Sequence, residues 1–158
     1  MRELRFFVDV TMERITLDNR WQSERWQPAR VSTGAQPGDD IVYDRDGVDG
    51  SRWTARGVCV SVHPSEAEGY FLNITSPDPK LFVMWRREEE GAEPPVRVVV
   101  VTLSYNEAAR SLDAGEQVDG LPLPNDLAEW LKPFVAEHYK PEPRRKVRRN
   151  DPFADKVS

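Results

Sequence analysis

The chain has 158 residues, a mean hydropathy of −0.65, a net charge of −5 and one cysteine. Leu, Ile, Val and Phe make up about 23% of it, above the ~20% below which disorder is the rule. These figures fit one domain of ordinary size and exclude a collagen-like chain, a disulfide scaffold and a helical membrane protein.

In chain order, Phe6, Val8, Val10 and Met12 alternate with polar residues and predict a first strand. A weaker strand follows at 24–32. Residues 33–51 hold four glycines and five aspartates around Ile41, Val42 and Tyr43, and read as an acidic, unfolded loop. Val58, Val60 and Val62 predict a further strand, as do Tyr70, Leu72 and Ile74, and again Leu81, Val83 and Trp85. The valine run 98–101 is apolar on both faces, which marks a central strand or one covered by a helix. Short polar connections suit antiparallel neighbours.

The pattern changes at Ser104, where Ser104 and Glu107 have the spacing of a capping box. A helix is expected to about Ala114, with Gly115 ending it. After the turn-like 121–124, the residues Leu127, Trp130, Leu131, Phe134, Val135 and His138 fall on one helical face. Pro133 inside that face predicts a kink or a break. The whole reads as an α+β domain over 1–143: an antiparallel, barrel-like β meander of about six strands with C-terminal helices. Residues 144–158 form a basic tail expected to be disordered, since residues 140–158 carry seven Lys and Arg against three acids while the remainder carries −9.

Candidate chemistry is sparse. Cys59 and His63 share a strand face, yet four residues at ~3.3 Å rise part them by roughly 13 Å, too far for a nucleophile and its base. A buried thiol and an edge histidine are expected, and His138 belongs to a helix's apolar face. Asp44, Asp46 and Asp49 resemble a calcium loop, but Val48 and Ala55 stand where an EF-hand needs oxygen ligands. Glu107, Asp113, Glu116 and Asp119 cluster near the first helix without a pairing that demands acid–base work. Asn73 and Thr75 form a glycosylation sequon with no meaning inside a strand. No catalytic, cofactor or metal residue is assigned.

Trp21 and Trp26 flank a polar connection, and Trp with Arg is the composition of interface anchors. Trp26 is expected in the core and Trp21 exposed. Trp21 and Arg25 are therefore the expected partner-binding residues of the body. Arg144, Arg145, Lys146, Arg148 and Arg149 are those of the tail, which alone offers an electrostatic footprint for acidic protein, RNA or lipid. One cysteine suits a reducing compartment, and the N-terminal residues lack an apolar run of signal-peptide length, so the cytoplasm is the expected location.

Four stretches carry a family resemblance: LDNRWQSERWQPARV at 17–31; EAEGYFLNIT at 66–75 with FVMWR at 82–86; SYNEAAR at 104–110 with VDGLPLP at 118–124; and WLKPFV at 130–135 with HYKP at 138–141. Together the chain resembles an uncharacterised family of short bacterial proteins encoded beside formate dehydrogenases and their assembly factors. The resemblance leaves out 33–51 and the tail beyond 143. It implies a non-catalytic accessory protein that binds a formate dehydrogenase subunit or assembly factor, and it supplies no catalytic residue. The rival expectation is a small ligand-binding barrel or enzyme with its pocket between the strands and the 105–114 helix. An open cavity with converging polar groups would favour the rival, a filled barrel the accessory role.

Overall fold

The computed structural model describes residues 5–38 and 40–141, so the tail positions Arg144, Arg145, Lys146, Arg148 and Arg149 lie outside the described residues. One antiparallel sheet holds β1 (Arg5–Thr16), β2 (Glu24–Thr33), β3 (Val42–Asp46) and β4 (Arg52–Ser61), in the order β2-β1-β4-β3. A second holds β5 (Lys80–Arg87), β6 (Val96–Thr102) and β7 (Gln117–Pro122), in the order β6-β5-β7. Three helices complete the fold: α1 (Ala67–Ile74), entered through a tight turn at Pro64–Glu66, α2 (Tyr105–Asp113) and α3 (Asn125–His138).

The alternation read in β1 is real. Val8, Val10 and Met12 are buried, and β1 sits between β2 and β4 as the centre of its sheet. Its buried Thr11 pairs hydroxyl to hydroxyl with Thr54 of β4 at 2.9 Å, so the one polar pair in this stretch of core is satisfied. From the second sheet, Leu81, Val83 and Trp85 of β5 and Val96, Val98 and Val101 of β6 enter the same core. α3 closes it with Leu127, Leu131 and Phe134, its rings meeting Phe6 and Tyr70 edge to face.

Four expectations need correcting. Residues 70–74 form the end of helix α1, not a strand. The acidic segment 33–51 contributes β3, whose Asp44 pairs with Arg56 and whose Asp46 accepts from Thr54 at 2.7 Å. β6 is an edge strand, whereas its valine run reads as a central strand or one covered by a helix. A bulge at Val99, opposite the Met84–Trp85 step, reverses its side-chain parity and spreads valines over both faces. α3 runs unbroken through Pro133, whose ring lies on the exposed side of the helix.

The strands do not close into a barrel. β4 lies beside β6, and β2 beside β7, but backbone pairing stops at both seams. At the first seam the Tyr43 hydroxyl accepts from the Val98 N–H at 2.9 Å and lies 3.4 Å from its carbonyl. At Val98 the backbone groups that a barrel would give to a neighbouring strand are thus held by a side chain. Burial pushes the pKa of Tyr43 up, against the lowering pull of Val98 and Arg97.

Candidate functional site

The β1–β2 connection is a small closed loop. Leu17 N–H donates to the Ser23 carbonyl at 2.8 Å, and the Asn19 side chain accepts from the Trp21 N–H at 2.8 Å, an Asx turn. That turn holds Trp21 outward at 84% exposure, with the Arg20 guanidinium 5.5 Å from its ring centre. Trp26, two residues into β2, is 3% exposed and belongs to the core. Arg25, between them in sequence, reaches only a neutral partner among the described residues, the Gln27 side-chain oxygen at 3.0 Å.

Behind this loop the open β2–β7 seam encloses a cavity of about 310 Å³. Trp26 and Trp85 supply its apolar lining, and Arg25, Arg87, Gln117 and Asp119 its polar one. The Trp85 indole donates to Asp119 at 2.8 Å, which uses one carboxylate oxygen. Several acids in or beside these strands are engaged elsewhere, Glu88 beside Arg87 by Arg97 at 2.7 Å. Glu24 faces Arg14 at 3.8 Å, and Glu116 takes a two-pronged pair of bonds from Arg86 at 3.1 and 2.9 Å. Arg87 makes no ion pair among the described residues. Sequence spacing does not single out Arg87 or Gln117. They reach the cavity from different strands, and only the β5–β7 register brings them together.

The β4–β6 seam holds a second cavity, of about 360 Å³, bordered by Cys59, Ser61, His63, Val99 and Glu107. It lies between the strands and α2, where the rival reading expects a pocket. Cys59 Sγ lies 3.6 Å from the Ser61 hydroxyl and has no hydrogen bond to His63 among the described residues. Glu107 accepts from Thr102 Oγ1 at 2.5 Å. Glu116 and Asp119 have separate partners, Arg86 and the Trp85 indole, so they do not pair with each other. Nor do Asp44, Asp46 and Asp49 converge: they bond Arg56, Thr54 and the Ser51 N–H in turn. Among the described residues no group of three His, Cys, Asp or Glu is placed to hold a metal ion, and no helix is long and apolar enough to cross a membrane. His138 is half-buried, its ring 4.3 Å from that of Phe134.

Half of the expected capping box is present. Ser104 Oγ accepts from the Glu107 N–H at 3.0 Å, but the Ser104 N–H is taken by Thr102 Oγ1 at 3.1 Å rather than by Glu107. The Ser104 hydroxyl proton goes to Glu66 at 2.6 Å, and Arg110 binds the other Glu66 oxygen at 2.6 Å. Burial works to raise the Glu66 carboxyl, yet the bonds from Ser104 and Arg110 outweigh it and hold the carboxyl below its ordinary value. Nearby, burial pushes the Tyr70 hydroxyl up to about 12, and that oxygen accepts from the His63 N–H. These groups tie the helices to the sheets. Asn73 is 2% exposed and fully bonded, so its sequon is sealed in the core.

A family model described as a protein of unknown function (DUF3305) matches residues 7–148. The match runs through the acidic segment 33–51 and into the basic tail, both of which the four resembling stretches leave out. No curated protein and no solved structure matches the chain.

Proposed function

The chain belongs to the family of proteins of unknown function DUF3305, and from that premise we propose that it is a non-catalytic protein-interaction module. It acts in the cytoplasm as an accessory, assisting assembly or maturation of a formate dehydrogenase. The observation that carries this reading is Trp21. A tryptophan held outward at 84% exposure by its own Asx turn leaves a large apolar surface in water that the fold itself does not use. Arg25 and the cavity behind the loop extend this surface. The choice of formate dehydrogenase rests on the resemblance of the four sequence stretches.

The test is direct binding of the purified chain to a purified formate dehydrogenase and, separately, to its assembly factors. Wild type is expected to bind one of them, and Trp21→Ala to weaken that binding by about 2 kcal/mol or more. Binding that is absent, or indifferent to Trp21, overturns the proposal. The alternative, a ligand-binding protein or small enzyme, draws support from the β4–β6 cavity, where Ser61, His63 and Glu107 border about 360 Å³. It requires a small molecule that co-purifies with the chain and is lost on filling that cavity.

A further inference from the structure

We propose that the β2–β7 cavity is a carboxylate-binding site, with Arg25 and Arg87 as its cationic jaws. The charge of this cavity does not depend on which partner the chain serves. Five arginines face acids: Arg14 faces Glu24, Arg56 faces Asp9 and Asp44, Arg86 faces Glu116, Arg97 faces Glu88 and Arg110 faces Glu66. Arg25 and Arg87 stand beside Glu24 and Glu88 in sequence, yet Glu24 faces Arg14 and Glu88 faces Arg97. Both guanidiniums then border one cavity with no carboxylate salt-bridged to either among the described residues.

The lining also says which anion. Guanidinium groups bind planar oxyanions through paired N–H donors, and the amides of Gln22 and Gln117 add uncharged donors around the same space. Trp26 and Trp85 keep one side of it apolar, which strengthens those bonds relative to open water. Asp119 sets the limit. Its charge stands in the cavity, fixed there by the Trp85 indole. Two guanidiniums against one carboxylate leave room for one negative charge. A monoanionic carboxylate neutralises the site, whereas a phosphate dianion leaves it with a net negative charge beside Asp119.

The chemistry is shared by a free small carboxylate and by an aspartate or glutamate side chain of a docking protein. Two probes separate these sources: sodium acetate, and N-acetylglutamate amide, whose only charge is a side-chain carboxylate flanked by peptide groups. Each is titrated at constant ionic strength into the uniformly labelled full chain, and the Trp85 indole N–H resonance is followed. Inorganic phosphate above its second pKa is the third arm. Saturable shifts with acetate that weaken by about tenfold in Arg87→Gln and in Arg25→Gln are the expected result. Tighter binding of the amide than of acetate assigns the site to a protein side chain, and the reverse to a free carboxylate. Phosphate is expected to bind more weakly than acetate and to gain in Asp119→Asn, which keeps an acceptor for the indole. The proposal fails if no probe shifts that resonance, if the arginine variants respond as wild type does, or if phosphate wins in the wild-type chain. It stands whether or not a formate dehydrogenase proves to be the partner.

Discussion

A methyl group on Gly69 would overlap the side-chain oxygen of Ser104 and come within 3.1 Å of the Asn106 backbone nitrogen. The missing side chain is what lets α1 cross the start of α2 so closely. That crossing brings Glu66, just before α1, onto the hydroxyl that caps α2. Gly69→Ala is expected to destabilise the domain by about 3 kcal/mol, at the severe end of overpacking because the obstacle is a capped helix end rather than a flexible side chain. Denaturant unfolding of this variant beside Ala67→Gly, a control on the same helix, measures it.

Asn73 ties three pieces of backbone together. Its amide donates to the Lys80 and Leu103 carbonyls, at 2.7 and 2.9 Å, and its oxygen accepts from the Lys80 N–H at 2.9 Å. Asn73→Ala leaves these groups without partners next to the core. The expected cost is about 3 kcal/mol, read as a fall in the chemical denaturation midpoint. A loss below about 1 kcal/mol would show that water replaces the amide.

Ser104→Ala removes an N-cap acceptor and the donor to Glu66 in one step. Caps cost about 0.5–2 kcal/mol, and the fully buried Ser104 belongs at the upper end of that range. Glu66→Gln in the Ser104→Ala background is expected to cost less than it does in wild type, since the two residues share a bond.

Acid should find the same place. The folded Glu66 carboxyl titrates below its ordinary value of 4.5. Between the two values the unfolded chain binds the proton more readily, so stability rises with pH there. The contribution is whole above the ordinary glutamate range and disappears as the pH falls through the depressed folded value. The difference in unfolding free energy between wild type and Glu66→Gln is expected to shrink over that window and to be flat at neutral pH. A difference independent of pH would assign the stabilisation to shape rather than charge.

The two tryptophans should behave as opposites. Trp26→Ala is expected to cost about 3–5 kcal/mol, and Trp21→Ala to stay within about 0.5 kcal/mol of wild type while binding falls. Thermal melts of the two variants separate them. A large loss of stability in Trp21→Ala would remove the anchor from the proposed function.

What could be read from the sequence was set by how burial is achieved. β1 and β5 bury alternate aliphatic and aromatic residues, and their period shows. In α1 the buried residues are Ala67, Gly69, Tyr70 and Asn73, so the inward face includes a glycine and an amide that hydrophobic patterns assign outward. The rest, Tyr70, Leu72 and Ile74, imitates a strand, although Leu72 is exposed. β3 is invisible because it is held by ion pairs and a tyrosine rather than by an apolar face. β7, with Gly120 and Pro122, reads as a turn until β5 offers it an edge. The same logic divides the site. Trp21 and Arg25 are four residues apart at one turn into β2 and can be picked out together, whereas Arg87, Gln117 and Asp119 meet Arg25 only across the open seam.

Tyr43 has a consequence beyond joining two sheets. Strand β6 reads Val-Arg-Val-Val-Val-Val-Thr and stands at the margin of its sheet, the kind of sticky border on which other chains aggregate. One phenol occupies its outward backbone groups at Val98. We expect the hydroxyl to work as a bolt against self-association, one that Tyr43→Phe draws without changing the ring. Such a protein would keep its fold and lose its solitude, passing from a clear solution to thioflavin-positive assemblies on concentration.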